Sequence, residues 1–146
     1  MKRIIISGGG TGGHIYPAIT IYKEIMKQQP DAKVLYVGTE HGLEADLVPK
    51  ENIDFVTLPV QGLQRKLSLG TLVTMGKTAF SLIKANLIIS EFKPDVVITH
   101  HLWILSSIVC DVFEGEKVIG VCHNTDIRQA EKNPAMKDKY VKNLGK

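Results

Sequence analysis

Apolar residues fall along this chain in two alternating rhythms. Short, strongly apolar runs stand at Arg3-Ile4-Ile5-Ile6, Lys33-Val34-Leu35-Tyr36-Val37, Asp54-Phe55-Val56-Thr57-Leu58, Asp95-Val96-Val97-Ile98-Thr99 and Lys117 to Val121. They read as five strands, the first of a kind that buries both faces in a parallel sheet. Between them the apolar period lengthens. Ile15, Ala18, Ile19, Tyr22, Ile25 and Met26 recur at helical spacing. A short helix over Leu43 to Val48 stops near Pro49. A long one has Ser68 as its N-cap, with Leu67 and Leu72 placed as a hydrophobic staple, and runs to about Phe92 before Pro94 ends it. Ile104 to Phe113 reads as a further helix, and a polar, basic segment from Asn133-Pro134 to Leu144 as a last one.

The long helix is more apolar than one covering a sheet requires. Leu69, Leu72, Val73, Gly76, Phe80, Ile83 and Leu87 line one face, expected to pack in the core. Met75, Leu82 and Ile89 form a second line at heptad spacing, suited to another element or to lipid.

Strands alternating with helices predict an α/β fold with a doubly wound parallel sheet. Right-handed crossovers then bring every loop that leaves a strand's carboxyl end to one edge. The loops carrying His14, Glu40, Gln64, His100, His101, His123, Asn124 and Asp126 should line one cleft there, where open α/β sheets place their ligands.

The stretch Ser7-Gly8-Gly9-Gly10-Thr11-Gly12-Gly13-His14 joins the first strand to the first helix. Such a turn brings backbone N–H groups and a helix's positive end up to an anion, most often a phosphate. Gly8, Gly10 and Gly13 satisfy G-x-G-x-x-G, and Glu40 follows the second strand roughly where a ribose-binding acid would stand. Gly38 and Thr39 intervene, however, which places that carboxylate beyond the strand tip. A dinucleotide site, a site for another phosphate, and a tight connection with no ligand all remain open on these residues alone. His14, beside the last glycine, adds a feature that a nicotinamide fold does not need. The helix start disfavours its protonation, so it is a candidate base.

Composition narrows the picture. A chain of 146 residues is expected to form a single domain with a real core. A net charge of +3 is too small to imply nucleic acid. Basic residues concentrate in Gln61 to Lys93 and Ile127 to Lys146, which suits either solvated helix faces or an anionic membrane surface. No signal peptide and no spanning segment is expected. Cys110 and Cys122 form no disulfide pattern, pointing to a reducing, cytoplasmic setting. His100, His101, Cys122 and His123 match no ligand motif, so neither a metal nor a cofactor is expected. Trp103 reads as packing.

Gly9-Gly10-Thr11-Gly12-Gly13-His14-Ile15-Tyr16-Pro17-Ala18 closely resembles the first glycine loop of the MurG family. So do Tyr36-Val37-Gly38-Thr39-Glu40, Gly42-Leu43-Glu44, Val60-Gln61-Gly62-Leu63-Gln64-Arg65-Lys66 and Phe92-Lys93-Pro94-Asp95-Val96-Val97-Ile98, in order over two-thirds of the chain. The resemblance implies a Rossmann-like N-terminal half of a GT-B glycosyltransferase. That family moves N-acetylglucosamine from UDP-GlcNAc to lipid I, peripherally at the inner face of the cell membrane. It further implies that Gly10, Thr11, Gly12, Gly13, Gln64 and Arg65 meet a lipid-linked diphosphate, with His14 as base or acceptor contact. Leu63, Lys66, Leu67, Met75 and Leu82 would belong to a membrane patch.

From Thr99 the pattern changes. Thr99-His100-His101-Leu102-Trp103 stands where the family has a second glycine-rich loop. His123-Asn124-Thr125-Asp126 is similar to the loop of family-four retaining transferases whose histidine contacts the donor sugar, which makes His123 a second candidate. The chain thus reads as a hybrid of two GT-B patterns, natural or constructed.

GT-B enzymes hold the nucleotide-sugar mainly in a C-terminal domain. The expectation is an acceptor-binding half, excised or split, that takes UDP-sugar only with such a domain and is inactive alone. An isolated half is also expected to be able to pair as a homodimer. Two rivals are a stand-alone NAD-type domain dependent on Glu40 and a non-catalytic membrane-surface or scaffold module.

Overall fold

The computed structural model describes residues 1–59, 69–100 and 117–121. The elements run β1 (Arg3–Ser7), α1 (Gly12–Gln28), β2 (Lys33–Thr39), α2 (Glu44–Lys50), β3 (Asp54–Leu58), α3 (Leu69–Phe92), β4 (Val96–Thr99) and β5 (Lys117–Gly120). The five strands form one parallel sheet in the order β3-β2-β1-β4-β5. This is the Rossmann-like, doubly wound arrangement expected from the alternation.

β1 is central because its three isoleucines supply both layers. Ile4 and Ile6 face one side, packed with Ile15, Ala18 and Ile19 of α1 and Val48 of α2. Ile5 faces the other side with Val37 and Val97, against Ile88, Ile89 and Phe92 of α3. Full burial of each such side chain contributes roughly 1.5–3 kcal/mol. Asp95 locks the start of β4 to β1: its N–H donates to the Arg3 carbonyl and its carboxylate accepts the Arg3 N–H, both at 2.8 Å.

Four boundaries differ from expectation. β2 extends through Gly38 and Thr39, which pair with Thr57 and Leu58 of β3. Glu40 therefore stands directly after the strand, not displaced from its tip. Gly12 and Gly13 are the first residues of α1, not part of the turn. Pro17 lies inside α1 and has no N–H to give the Gly13 carbonyl. α2 begins at Glu44 and continues past Pro49 to Lys50.

α3 ends at Phe92 as expected, with Lys93 in the left-handed region (φ 46°) and its N–H on the Ile89 carbonyl at 2.7 Å. Its orientation, however, corrects the expected core stripe. Phe80, Ile83 and Leu87 are exposed, at 59%, 59% and 58%. The line from Ser81 through Ala85 and Ile88 to Phe92 carries the more buried positions. The second apolar line divides, with Leu82 exposed and Ile89 against the sheet. The expected helix over 104–113, the last helix over 134–144 and the loop over 60–67 lie outside the described residues.

Candidate functional site

Because every strand is parallel, Ser7, Thr39, Leu58, Thr99 and Gly120 end on one edge of the sheet. The crossovers diverge between β1 and β4, the topological switch point of the fold. The glycine turn leaves β1 there, and His100 follows β4 directly, its N–H donating to the Ser7 carbonyl at 2.8 Å.

Each part of the turn has a distinct cause. Gly8 is buried against His100, where an added Cβ would lie 2.9 Å from the histidine Cβ. The Gly8 carbonyl accepts the Tyr36 hydroxyl at 2.6 Å. Burial first, and the Glu44 charge second, push that phenol well above its ordinary range, so it stays a donor. Gly10 takes φ 84°, a conformation that L side chains rarely adopt. Thr11 is the extended N-cap of α1, but its side chain does not cap the helix. Its hydroxyl oxygen lies 2.9 Å from Nδ1 of His14, a bond whose donor depends on the tautomer.

His14 is buried in the first turn of α1. Its own N–H and that of Ile15 bond the Thr11 carbonyl, at 3.1 and 3.2 Å. The N–H groups of Gly12 and Gly13 are those that helix geometry leaves to an outside partner. No acidic residue of α1 itself occupies this first turn, so no side chain of the helix offsets the positive end of its dipole there.

The structure also brings in a residue to which pattern reading gave no role. Glu44, fully buried, accepts the Gly10 N–H at 3.2 Å, the Thr39 N–H at 3.0 Å and the Thr39 hydroxyl at 2.7 Å. Gly9 and Gly42 lie so close to the carboxylate that a Cβ on either would overlap it, and Gly38 backs its Cγ. Burial alone would raise the carboxyl pKa. The hydrogen bonds outweigh it and hold the group below the usual glutamate value.

That shift has a readable consequence. A carboxylate whose folded pKa is depressed stabilises the fold above its unfolded pKa of about 4.3, and the gain disappears as pH falls through the lower folded value. In urea titrations, wild type should exceed Glu44→Gln by a constant margin above about pH 5, and the margin should shrink below about pH 4.

Of the residues expected in the cleft, His14, Gly10, Thr11, Gly12, Gly13 and His100 meet around the switch point. Glu40 is exposed at the end of β2, and Met75 and Leu82 lie in α3. Leu63, Gln64, Arg65, Lys66, Leu67, His101, Cys122, His123, Asn124 and Asp126 lie outside the described residues. Among the described residues, no group of three His, Cys, Asp or Glu gathers as metal ligands, and no helix is long and apolar enough to cross a membrane.

A parallel sheet of this order, with a glycine turn opening a helix N-terminus at its switch point, defines a Rossmann-like domain. A sequence profile of the glycosyltransferase family 28 N-terminal domain matches residues 4–102, and the chain belongs to that family, as a MurG-like N-terminal domain. Curated relatives named UDP-N-acetylglucosamine--N-acetylmuramyl-(pentapeptide) pyrophosphoryl-undecaprenol N-acetylglucosamine transferase are 56% identical in Thermoanaerobacter sp. (strain X514) and 50% identical in Pediococcus pentosaceus. Each matches over 96 residues, 66% of this chain and 26% of the relative. The chain thus spans about a quarter of the length of these relatives. The crystal structure of Acinetobacter baumannii MurG superposes with a TM-score of 0.63 and 24% identity, covering 82% of this chain and 35% of that one. It is similar in fold.

Proposed function

We propose that this chain is the acceptor-binding half of a transferase that moves N-acetylglucosamine from UDP-GlcNAc to a lipid-linked diphosphate sugar. The observation that carries the reading is the α1 N-terminus, delivered by the glycine turn to the sheet's switch point with His14 beside it. The N–H groups of Gly12 and Gly13, with the helix dipole, receive the acceptor's diphosphate. Gln64 and Arg65, which follow β3 in the sequence, complete its contacts. His14 accepts the proton of the attacking hydroxyl at Nε2. That role requires the proton on Nδ1, donated to the Thr11 oxygen.

The nucleotide-sugar is held by a C-terminal donor domain, which this half needs for transfer. The chain works peripherally at the inner face of the cell membrane. Leu63, Lys66, Leu67, Met75 and Leu82, with the exposed Phe80, Ile83 and Leu87, form the surface that meets anionic lipid. The transferase activity for which the relatives are named supports this reading over a dinucleotide site, although Glu40 does follow β2 directly.

The test is a transfer assay with UDP-GlcNAc and a lipid I analogue in anionic vesicles, with and without a separately supplied MurG-type C-terminal domain. Transfer only when that domain is present, weakened by salt, is the expected result. Equal transfer without it, or none with it, overturns the proposal.

A further inference from the structure

We infer that Glu44 is a positioning residue for the anion site: it holds the glycine turn in the one shape that leaves the α1 N-terminus open to a ligand. The inference rests on the reading of that terminus as a diphosphate site.

Three observations lead to it. First, the carboxylate is fully buried and accepts from three donors of Gly10 and Thr39, besides the N–H of its own residue. A buried carboxylate is costly unless its oxygens are well bonded. Thr39, five residues away, supplies two of those donors locally. The third bond reaches 34 residues back to Gly10, inside the turn. Second, Gly9, Gly38 and Gly42 all lack the Cβ that would collide with this side chain, so glycines of both loops make its seat. Third, the bond falls on the residue with φ 84°. It ties the Gly10 N–H back into the protein, while the Tyr36 hydroxyl pins the Gly8 carbonyl at the other end of the turn. With both ends held, the N–H groups of Gly12 and Gly13 stay at the helix start, where helix geometry leaves them to an outside partner.

Each oxygen of Glu44 accepts a backbone N–H, one from Gly10 and one from Thr39, so glutamine cannot replace it. Its single oxygen can serve one loop, while its NH2 then faces the backbone N–H of Thr39 or of Gly10 on the other. The carboxylate's negative charge opposes an incoming anion, but three donors already occupy it, and fixing the turn outweighs the repulsion.

The experiment measures binding of inorganic pyrophosphate to this chain by calorimetry, alongside amide hydrogen exchange of Gly10 and Thr39. It compares wild type, Glu44→Gln, Thr39→Val and Val48→Ala. Val48 is a fully buried core residue of the same helix, with no part in the turn, so it separates general destabilisation from positioning. Glu44→Gln is expected to weaken pyrophosphate binding roughly tenfold or more and to speed Gly10 exchange. Thr39→Val should fall between it and wild type, and Val48→Ala should bind as wild type does.

Unchanged or tighter binding by folded Glu44→Gln, or an equal loss in Val48→Ala, overturns the inference. If Glu44→Gln fails to fold, Thr39→Val with wild-type affinity overturns it. If wild type binds no pyrophosphate, the anion reading of the turn fails instead. Glu44 is then judged on Gly10 exchange alone: faster exchange in Glu44→Gln sustains its hold on the turn, and unchanged exchange overturns it.

Discussion

Replacing His14 with alanine should lower transfer by the completed enzyme by roughly 10²–10⁴-fold, the range typical of a lost general base. The loss should fall on kcat, with the acceptor KM little changed, because the substitution leaves in place every group proposed to hold the diphosphate. His14 is also buried, so His14→Asn serves as a second variant that keeps a polar atom near the Thr11 oxygen. Both should melt near wild type if the defect is chemical. A fall in KM-based affinity with kcat preserved would assign His14 to acceptor binding instead.

The largest effect on stability is expected from a single methyl group. Gly38→Ala places a Cβ 2.6 Å from Glu44 Cγ and 2.9 Å from the Phe55 ring. Neither neighbour yields easily. Phe55 belongs to the adjoining strand and packs with Tyr36, ring centroids 6.0 Å apart. Glu44 is held by three hydrogen bonds. Overpacking of this kind costs about 1–3 kcal/mol, and loosening charge-assisted bonds adds about 1.5–3 kcal/mol. Thermal melts should show a fall in Tm on the order of 10 °C. An unchanged Tm would mean that the strand end shifts freely and that the carboxylate is not seated as described.

The layered sheet was legible in the sequence because β-branched runs leave few alternatives. Ile4-Ile5-Ile6, Val34 to Val37 and Val96 to Thr99 became strands, and the spacing from Ile15 to Met26 became α1. What escaped detection depended on partners far along the chain. Gly38 reads as a strand breaker locally, yet β3 offers it a ladder. Glu44 opens a short amphipathic helix, where an acid is ordinarily solvated and favours the dipole. Only the approach of Gly9, Gly38 and Gly42 buries it. A cluster of glycines on two strand-end loops, with one acid at the following helix start, was the available signal. α3 misled for the opposite reason. Apolar periodicity marks where hydrophobic side chains lie, but the helix sits on a line that includes Ser81 and Ala85, leaving much of its apolar face outward.

The central place of β1 also fixes an order of assembly. Its contacts with β2 close a loop of about thirty residues, whereas its start meets Asp95 across a separation of 92. Loop-closure entropy favours the nearer pairing first, and distant parallel pairings form slowly. As the chain leaves the ribosome, β1, α1, β2 and β3 are all available before β4 is synthesised. During that interval one flank of the innermost strand has no neighbour, and the partner of Gly8 and Ser7 on that side has yet to arrive. The glycine turn is thus among the last features to mature, although residues 7–14 encode it.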